Sequence, residues 1–445
     1  MTVIDEAVSN LTGPNVAGAV ETSDKVASHL HPAGSWAVED HPVPTGLEEV
    51  WRFTPLKRLR KLHADAPFGT GSVTVEASAH DDVSITTVSG DEAKAWRGIS
   101  GYLPIDRTSA RVFAETDSSL VVDVPAEVEA NKPIVITLHG NGIENAEGGH
   151  LVIKLGRFAR ATVLLVHDGS ATYGQVVEIV LEDGAEATVT TIQNWADDSV
   201  HLAQHAAKVG RDATLKHVAV SFGGDVVRIN AGVEYAATGG KAEMLGIYFV
   251  DAGQHLEHRL FVDHNQPKTT SNVDYRGALQ GKGAHSVWIG DVLIRKVAEG
   301  IETYESNKNL VLTDGCRADS VPNLEIETGE IAGAGHASTT GRFDDEQLFY
   351  LRSRGIPEDE ARRLVVHGFF ADIIRKIGVP PIEETLLTAL EAELAVTVGN
   401  PTGTRAEPVG VTRAEPVEAQ PVGVTRAEPV EAQVSGPSTG SGRES

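Results

Sequence analysis

Between about residues 110 and 340, apolar and polar residues alternate in short runs punctuated by glycine. Val176-Val-Glu-Ile-Val-Leu181, the turn Glu-Asp-Gly184 and the run Ala187–Ile192 read as strand, turn, strand. The series continues through Thr214–Val220, Asp225–Val233, Met244–Val250 and His255–Val262, with turns at Gly210, Gly223-Gly224, Gly239-Gly240 and Gly253. Such a series suits either a β-sandwich or a β-helix. The spacing favours the second. Ala161-Thr162-Val163, Ala187-Thr188-Val189 and Ala213-Thr214-Leu215 each follow a glycine and recur at one constant interval. Ala242-Glu243-Met244 continues the series after a slightly longer one. A fixed period between about 20 and 50 residues marks a solenoid, each unit here forming one coil. The expected class is mainly β, a right-handed parallel β-helix over 106–343, with alanine ladders at its inner corners and coils about 4.8 Å apart.

The period changes at 344. Asp344 and Gln347 fit a capping box, and Leu348 and Leu351 continue a helical stripe that Gly355 ends. Pro357 opens a second helix, whose Glu358, Asp359 and Glu360 complement its dipole. Leu364, Val365, Phe369 and Ile373 carry its apolar face to Gly378. A third helix after Pro380-Pro381 carries Leu386, Leu387, Leu390 and Leu394. Residues 344–398 thus read as a small helical domain closing the solenoid.

Upstream, 1–105 reads as a mixed region of short helices broken by proline and glycine. There Lys57, Arg58, Arg60 and Lys61 suggest a solvated helix face, with a docking patch as the alternative. Downstream, 399–445 repeats Thr-Arg-Ala-Glu-Pro-Val from Thr404, Thr412 and Thr425, and carries too little apolar surface to fold.

Charge narrows the function. With 38 basic against 63 acidic residues and a net charge of −25, the chain lacks the basic face that nucleic acid or anionic lipid requires. No apolar run reaches the roughly 20 residues of a membrane span. Met1–Gly34 lacks the apolar core of a signal peptide, and the lone Cys316 excludes an intrachain disulfide framework. A cytoplasmic protein is expected.

No phosphate-binding loop, nucleophile elbow or zinc helix is present; Gly277-Ala-Leu-Gln-Gly281-Lys282-Gly283 has neither the spacing nor the hydroxyl of a P-loop. A β-helix polysaccharide lyase or hydrolase would need clustered carboxylates, and an adhesive solenoid would need no chemistry at all. Both stay open at this point. His255, His258 and His264 beside Asp263 offer imidazole and carboxylate ligands for a metal, but a structural or surface role is the preferred reading, because the first two point to opposite faces of a strand. Cys316 and His336 are separated in sequence by close to one coil, which could place them on adjacent rungs as soft and borderline ligands for iron or zinc; the alternative is a buried small hydrophobe and a structural histidine. One thiol cannot hold an iron–sulfur cluster, so such a site would need a second chain.

Specific strings then carry a resemblance. Asp263-His264-Asn-Gln-Pro267-Lys-Thr-Thr-Ser271-Asn-Val-Asp-Tyr275-Arg-Gly277, Asn307-Lys-Asn309-Leu-Val-Leu312, Pro322-Asn-Leu-Glu-Ile326, Asp345-Glu-Gln-Leu-Phe-Tyr350-Leu-Arg-Ser-Arg-Gly355-Ile and Glu49-Val-Trp51-Arg-Phe-Thr54 resemble motifs of the SufB/SufD family over about 45–395. Tyr350-Leu-Arg-Ser-Arg-Gly, Ala337 after His336 and the lack of an N-terminal Cys-x-x-Cys are similar to the SufD branch. The resemblance implies a β-helix flanked by helical domains. It also implies a non-catalytic scaffold that pairs with a SufB-like subunit, binds the SufC-like ATPase and holds a transient Fe–S cluster at the shared interface. By motif His336 is the ligand donated to that cluster; Cys316 stands where SufB has its key cysteine. The ATPase contact maps to the C-terminal helices, with Tyr350, Arg352, Arg354 and Phe369 as candidates. Whether a flavin joins the complex is left open. One residue more than in the family pattern separates Pro322 from His336, which implies a bulge.

Overall fold

The computed structural model describes residues 33–343 and 345–397. The repeat tail 399–445 and the capping box at Asp344 and Gln347 lie outside what is described of backbone or side chain.

The chain winds into a parallel β-solenoid of about eight turns. Each strand pairs in parallel with the strand two places on, which separates two sheets around one lumen. Glu186–Trp195, Thr214–Ser221, Lys241–Val250, Thr270–Leu279, Glu302–Val311 and Gly333–Arg342 stack as one sheet. Val200–Val209, Val226–Tyr235, His255–His264, His285–Ile294 and Arg317–Ile326 stack as the other. Two 22-residue strands, Ile134–Leu155 and Arg160–Leu181, each bend to serve both sheets.

The alanine period is real, but its phase slips. Ala161 pairs with Ala187, whereas Ala187 pairs with Leu215. The ladder that stacks at the corner is Ala159, Ala185 and Ala213, each fully buried and linked when Glu186 N–H bonds Ala159 and Thr214 N–H bonds Ala185. No larger side chain fits where successive corners close on one another. The coil also lengthens along the column. Arg160 and its partner Glu186 on the next rung are 26 positions apart, Ser271 and its partner Thr303 32 positions.

Through the early and middle coils both sheets bury two faces, so the strands there read as nearly continuous apolar runs. Inward, Ile136, Ile153, Val163, Val177 and Val189 fill the early lumen. Outward, Val218, Val220, Leu245 and Ile247 of the first sheet pack against Val366, Phe370, Ile374 and Leu386 of the C-terminal helices. Trp51, Leu59 and Leu62 cover Val200, Leu202 and Val226 of the second.

The C-terminal helices are Asp345–Ser353, Glu358–Lys376 and Pro380–Thr397. Gly355 and Gly378, at φ 85° and 71°, terminate the first two in the left-handed conformation glycine tolerates. These helices do not close the solenoid. They lie along its flank, where Arg276 bonds Asp372 at 2.6 Å and the Phe369 carbonyl at 2.9 Å, and Lys376 bonds Asp274 at 2.6 Å.

The N-terminal region has the short helices expected of it and adds strands. Besides the short helices Val38–Asp40, Leu56–Arg58 and Asp91–Ala95, it contributes the strand Val73–Ala77, which pairs antiparallel with Ile134–Leu155, and the strand Ser84–Ser89, which pairs antiparallel with Ser118–Val124 at the start of the first coil. Its basic cluster straddles the short 3-10 helix Leu56–Arg58 and divides: Lys57 and Lys61 are exposed, as a solvated face would be, whereas the two arginines are half-buried. Arg58 bonds Asp225 at 2.6 Å and the Gly253 carbonyl at 2.6 Å, and Arg60 bonds Thr172 at 3.1 Å, so both clamp this segment to the column.

Candidate functional site

The last coil consists of Arg317–Ile326 and Gly333–Arg342. Among the described residues each pairs on one side only, with His285–Ile294 and Glu302–Val311 respectively. The solenoid therefore ends in two unpaired edges, and Pro322 sits on one of them, as proline can. Both registers run without a break, so the expected bulge between Pro322 and His336 does not form, and residues 327–332 connect the two strands.

Alternation fixes what faces the lumen here. His336 stands directly beside Glu305 in register, and Ser338 beside Asn307. Glu305 faces inward: a Cβ added to Gly290 of the opposite sheet would lie 2.3 Å from its Oε2. His336 therefore lies on the inner face of the final rung, yet its side chain is 45% exposed because no further coil covers it.

Below it the lumen turns polar. Asn307 donates to the Tyr248 hydroxyl (2.8 Å) and the Tyr275 carbonyl (3.2 Å), Asn309 donates to Asn307 (2.7 Å), and Tyr248 donates to Asn309 (2.6 Å). Ser320 donates to Asn307 at 2.8 Å and Ser338 to Ser320 at 2.7 Å, which ties the two sheets together across the opening. These bonds give the Asn307-Lys-Asn309 string its physical meaning: both amides point inward and satisfy one another.

Glu305 was not visible as a site residue from sequence. Its carboxyl is 1% exposed, neither oxygen has a hydrogen-bond partner among the described residues, and Oε1 lies 3.8 Å from His336 Nδ1. Burial, reinforced by the nearby charge of Asp291, pushes its pKa up to about 8. The strand Glu302–Val311 is polar on both faces, so no amphipathic contrast marks the inward position; only the register with His336 does.

Cys316 is elsewhere. Its half-buried thiol contacts the Gly281 carbonyl at 3.3 Å and Thr313 Oγ1 at 3.5 Å, and burial raises its pKa, which keeps it a neutral thiol. The expected juxtaposition with His336 does not occur. The coil here spans 31 positions from Asn309 to its neighbour Thr340. Cys316 and His336 are closer in sequence than that, so they fall on opposite sides of one coil. From the Ser320–Ser338 contact the two diverge by six positions, on the order of 20 Å along the strands. Among the described residues no three of His, Cys, Asp and Glu gather as a metal site.

The other histidines have internal duties. His258 stacks on Tyr248 inside the lumen and meets Ser221 at 3.0 Å; His264 bonds Thr269 and Ser271; His255 contacts His285 at 3.0 Å on the outer face. Asp263 is held by Arg295 at 2.7 Å. Of the helical candidates, Tyr350 and Arg354 come together at the surface, with Arg354 donating to the Tyr350 hydroxyl at 2.8 Å and stacking over its ring, and exposed Phe349 lies beside Tyr350 in sequence. Arg352 pairs with Glu358 at 3.2 Å. Phe369 is not part of that patch; it is partly buried and packs against Phe370, and its carbonyl accepts from Arg276.

The family model for the SUF system FeS cluster assembly, SufBD core domain, matches residues 138–369. An iron-sulfur cluster assembly SufBD family protein of Mycobacterium bovis is 51% identical over 393 residues, covering 87% of this chain and 98% of its own length. A family protein of Mycobacterium leprae is 50% identical over 369 residues, covering 82% of this chain and 93% of its own. A second family protein of M. leprae is 30% identical over 232 residues, 52% of this chain and only 26% of that protein. Solenoid, motif strings and full-length similarity agree: the chain belongs to the SufB/SufD family of iron–sulfur cluster assembly proteins.

Proposed function

We propose that this chain is a SufD-type scaffold subunit without catalytic activity of its own. It pairs through the open end of its column with a SufB-type subunit, while a SufC-type ATPase docks on the C-terminal helices and a transient Fe–S cluster is built at the shared interface in the cytoplasm. The cluster is cargo, held by His336 together with ligands of the partner. The observation that carries this reading is the position of His336: an imidazole on the inner face of a last coil that no further strand covers. Unpaired strand edges invite strand addition from another chain. That M. leprae has one family protein similar to 82% of this chain and another similar to 52% of it supports a pair of unlike subunits. The exposed Tyr350–Arg354 patch suits the ATPase contact, and aromatic and arginine side chains are the usual anchors of such surfaces. Cys316, a neutral thiol far from His336, has no direct part in holding the cluster in this reading.

Co-expression with a SufB-type and a SufC-type subunit tests the reading. All three should co-purify, and changing Tyr350 and Arg354 together to alanine should release the ATPase while leaving the SufB-type subunit bound. Recovery of this chain alone would end the reading.

A further inference from the structure

We infer that Glu305 is the second group with which this chain holds incoming iron, so that His336 and Glu305 form a two-ligand half-site completed by the partner subunit. The inference rests on the reading just given and adds a residue to it. Three observations support it. Both Glu305 oxygens lack a hydrogen-bond partner among the described residues, in a side chain that is 1% exposed. A buried carboxyl in that state is unfavourable until a proton or a cation satisfies it. Next, Oε1 and His336 Nδ1 are 3.8 Å apart on neighbouring rungs, facing the same way. A metal about 2.1 Å from each donor needs them roughly 3 to 3.5 Å apart, so a small side-chain rotation closes the gap. Finally, the pocket around the carboxyl is shaped for it: Gly290 of the opposite sheet leaves the space Oε2 occupies, which an alanine side chain would fill.

The surrounding groups argue against an ordinary structural role. Asn307, Asn309, Ser320 and Ser338 satisfy one another and spend no donor on Glu305. Carboxylate and imidazole together suit ferrous iron, and two ligands are too few to retain it, as suits cargo that must leave.

The test is anaerobic titration of the full chain with ferrous iron alone, in competition with a chromogenic chelator, alongside the ligand-field absorption of added cobalt(II). His336→Ala and Glu305→Gln should each weaken ferrous binding at least tenfold and alter the cobalt band, and the double variant should lose little more than either. Gly290→Ala, which keeps both ligands but displaces the carboxyl, should weaken binding severalfold. Glutamine preserves shape and hydrogen bonding, so a merely positioning role would leave the cobalt band of Glu305→Gln unchanged. That result, with His336→Ala still defective, overturns the inference and spares the reading of His336. If His336→Ala binds as the parent does, that reading fails and the inference with it.

Discussion

The two ends of the column are built from the same strand geometry and solve opposite problems. At the N-terminal end, Ser84–Ser89 and Val73–Ala77 pair antiparallel onto the first coil and cap its edges. The lumen there holds Val122, Ile134, Ile136 and Ile153, all fully buried. At the C-terminal end the edges find no partner strand among the described residues, and the lumen offers Glu305, Asn307, Ser320, Ser338 and His336. A stacked coil needs a neighbour on one side only to hold its register. The last coil can therefore give its inner face to polar chemistry, and the apolar coils beneath it supply the stability.

That contrast can be broken in order of expected effect. Ile153→Ala, in the capped half, should cost about 2–5 kcal/mol in urea unfolding through the cavity it leaves, with ferrous binding unchanged; a loss of binding would mean the ends are coupled. Acid should act next. Burial pushes His167 and His217 down to about 4 and His258 to about 3. The unfolded chain takes up protons below its ordinary histidine pKa of about 6.5 while the folded chain does not, so stability falls as pH drops from there toward 4. At pH 5 each should account for about 2 kcal/mol relative to pH 7, and His258→Leu should flatten that slope. Unfolding curves of equal stability at pH 7 and 5 would contradict this burial.

Arg276→Ala comes third. It removes the bonds to Asp372 and the Phe369 carbonyl, and should loosen the flanking helices by about 1–3 kcal/mol. Hydrogen exchange should quicken over 358–376 and stay slow in the strands; uniform protection would show that apolar packing alone holds them. Smallest of all is the effect of His336→Ala on stability, within about 0.5 kcal/mol, because its ring is half exposed and covered by no further coil.

The sequence carries the solenoid plainly, since glycine, alanine and alternating apolar residues recur once per coil. It also carries the helices, through Gly355, Pro357 and Gly378. What it hides depends on coil length. The coil grows from 26 to 32 positions along the column. The shorter interval between Cys316 and His336 therefore fails to bring them together, and the Ala-Thr units drift out of phase at Ala213. Glu305 is hidden for a different reason: its strand is polar on both faces, and only its pairing with His336 singles it out. The flank position of the helices depends on apolar residues such as Val218 and Ile247, whose outward face is indistinguishable from core in a strand buried on both sides.

Cluster build-up on the assembled complex tests the central claim most directly. The chain carrying His336→Ala, co-expressed with SufB-type and SufC-type subunits, should co-purify with both as the parent does. Reconstituted anaerobically with iron and sulfide, it should then show almost none of the parent's bound iron, sulfide and visible absorbance. Normal cluster content in that variant would contradict the assignment of the last coil's imidazole.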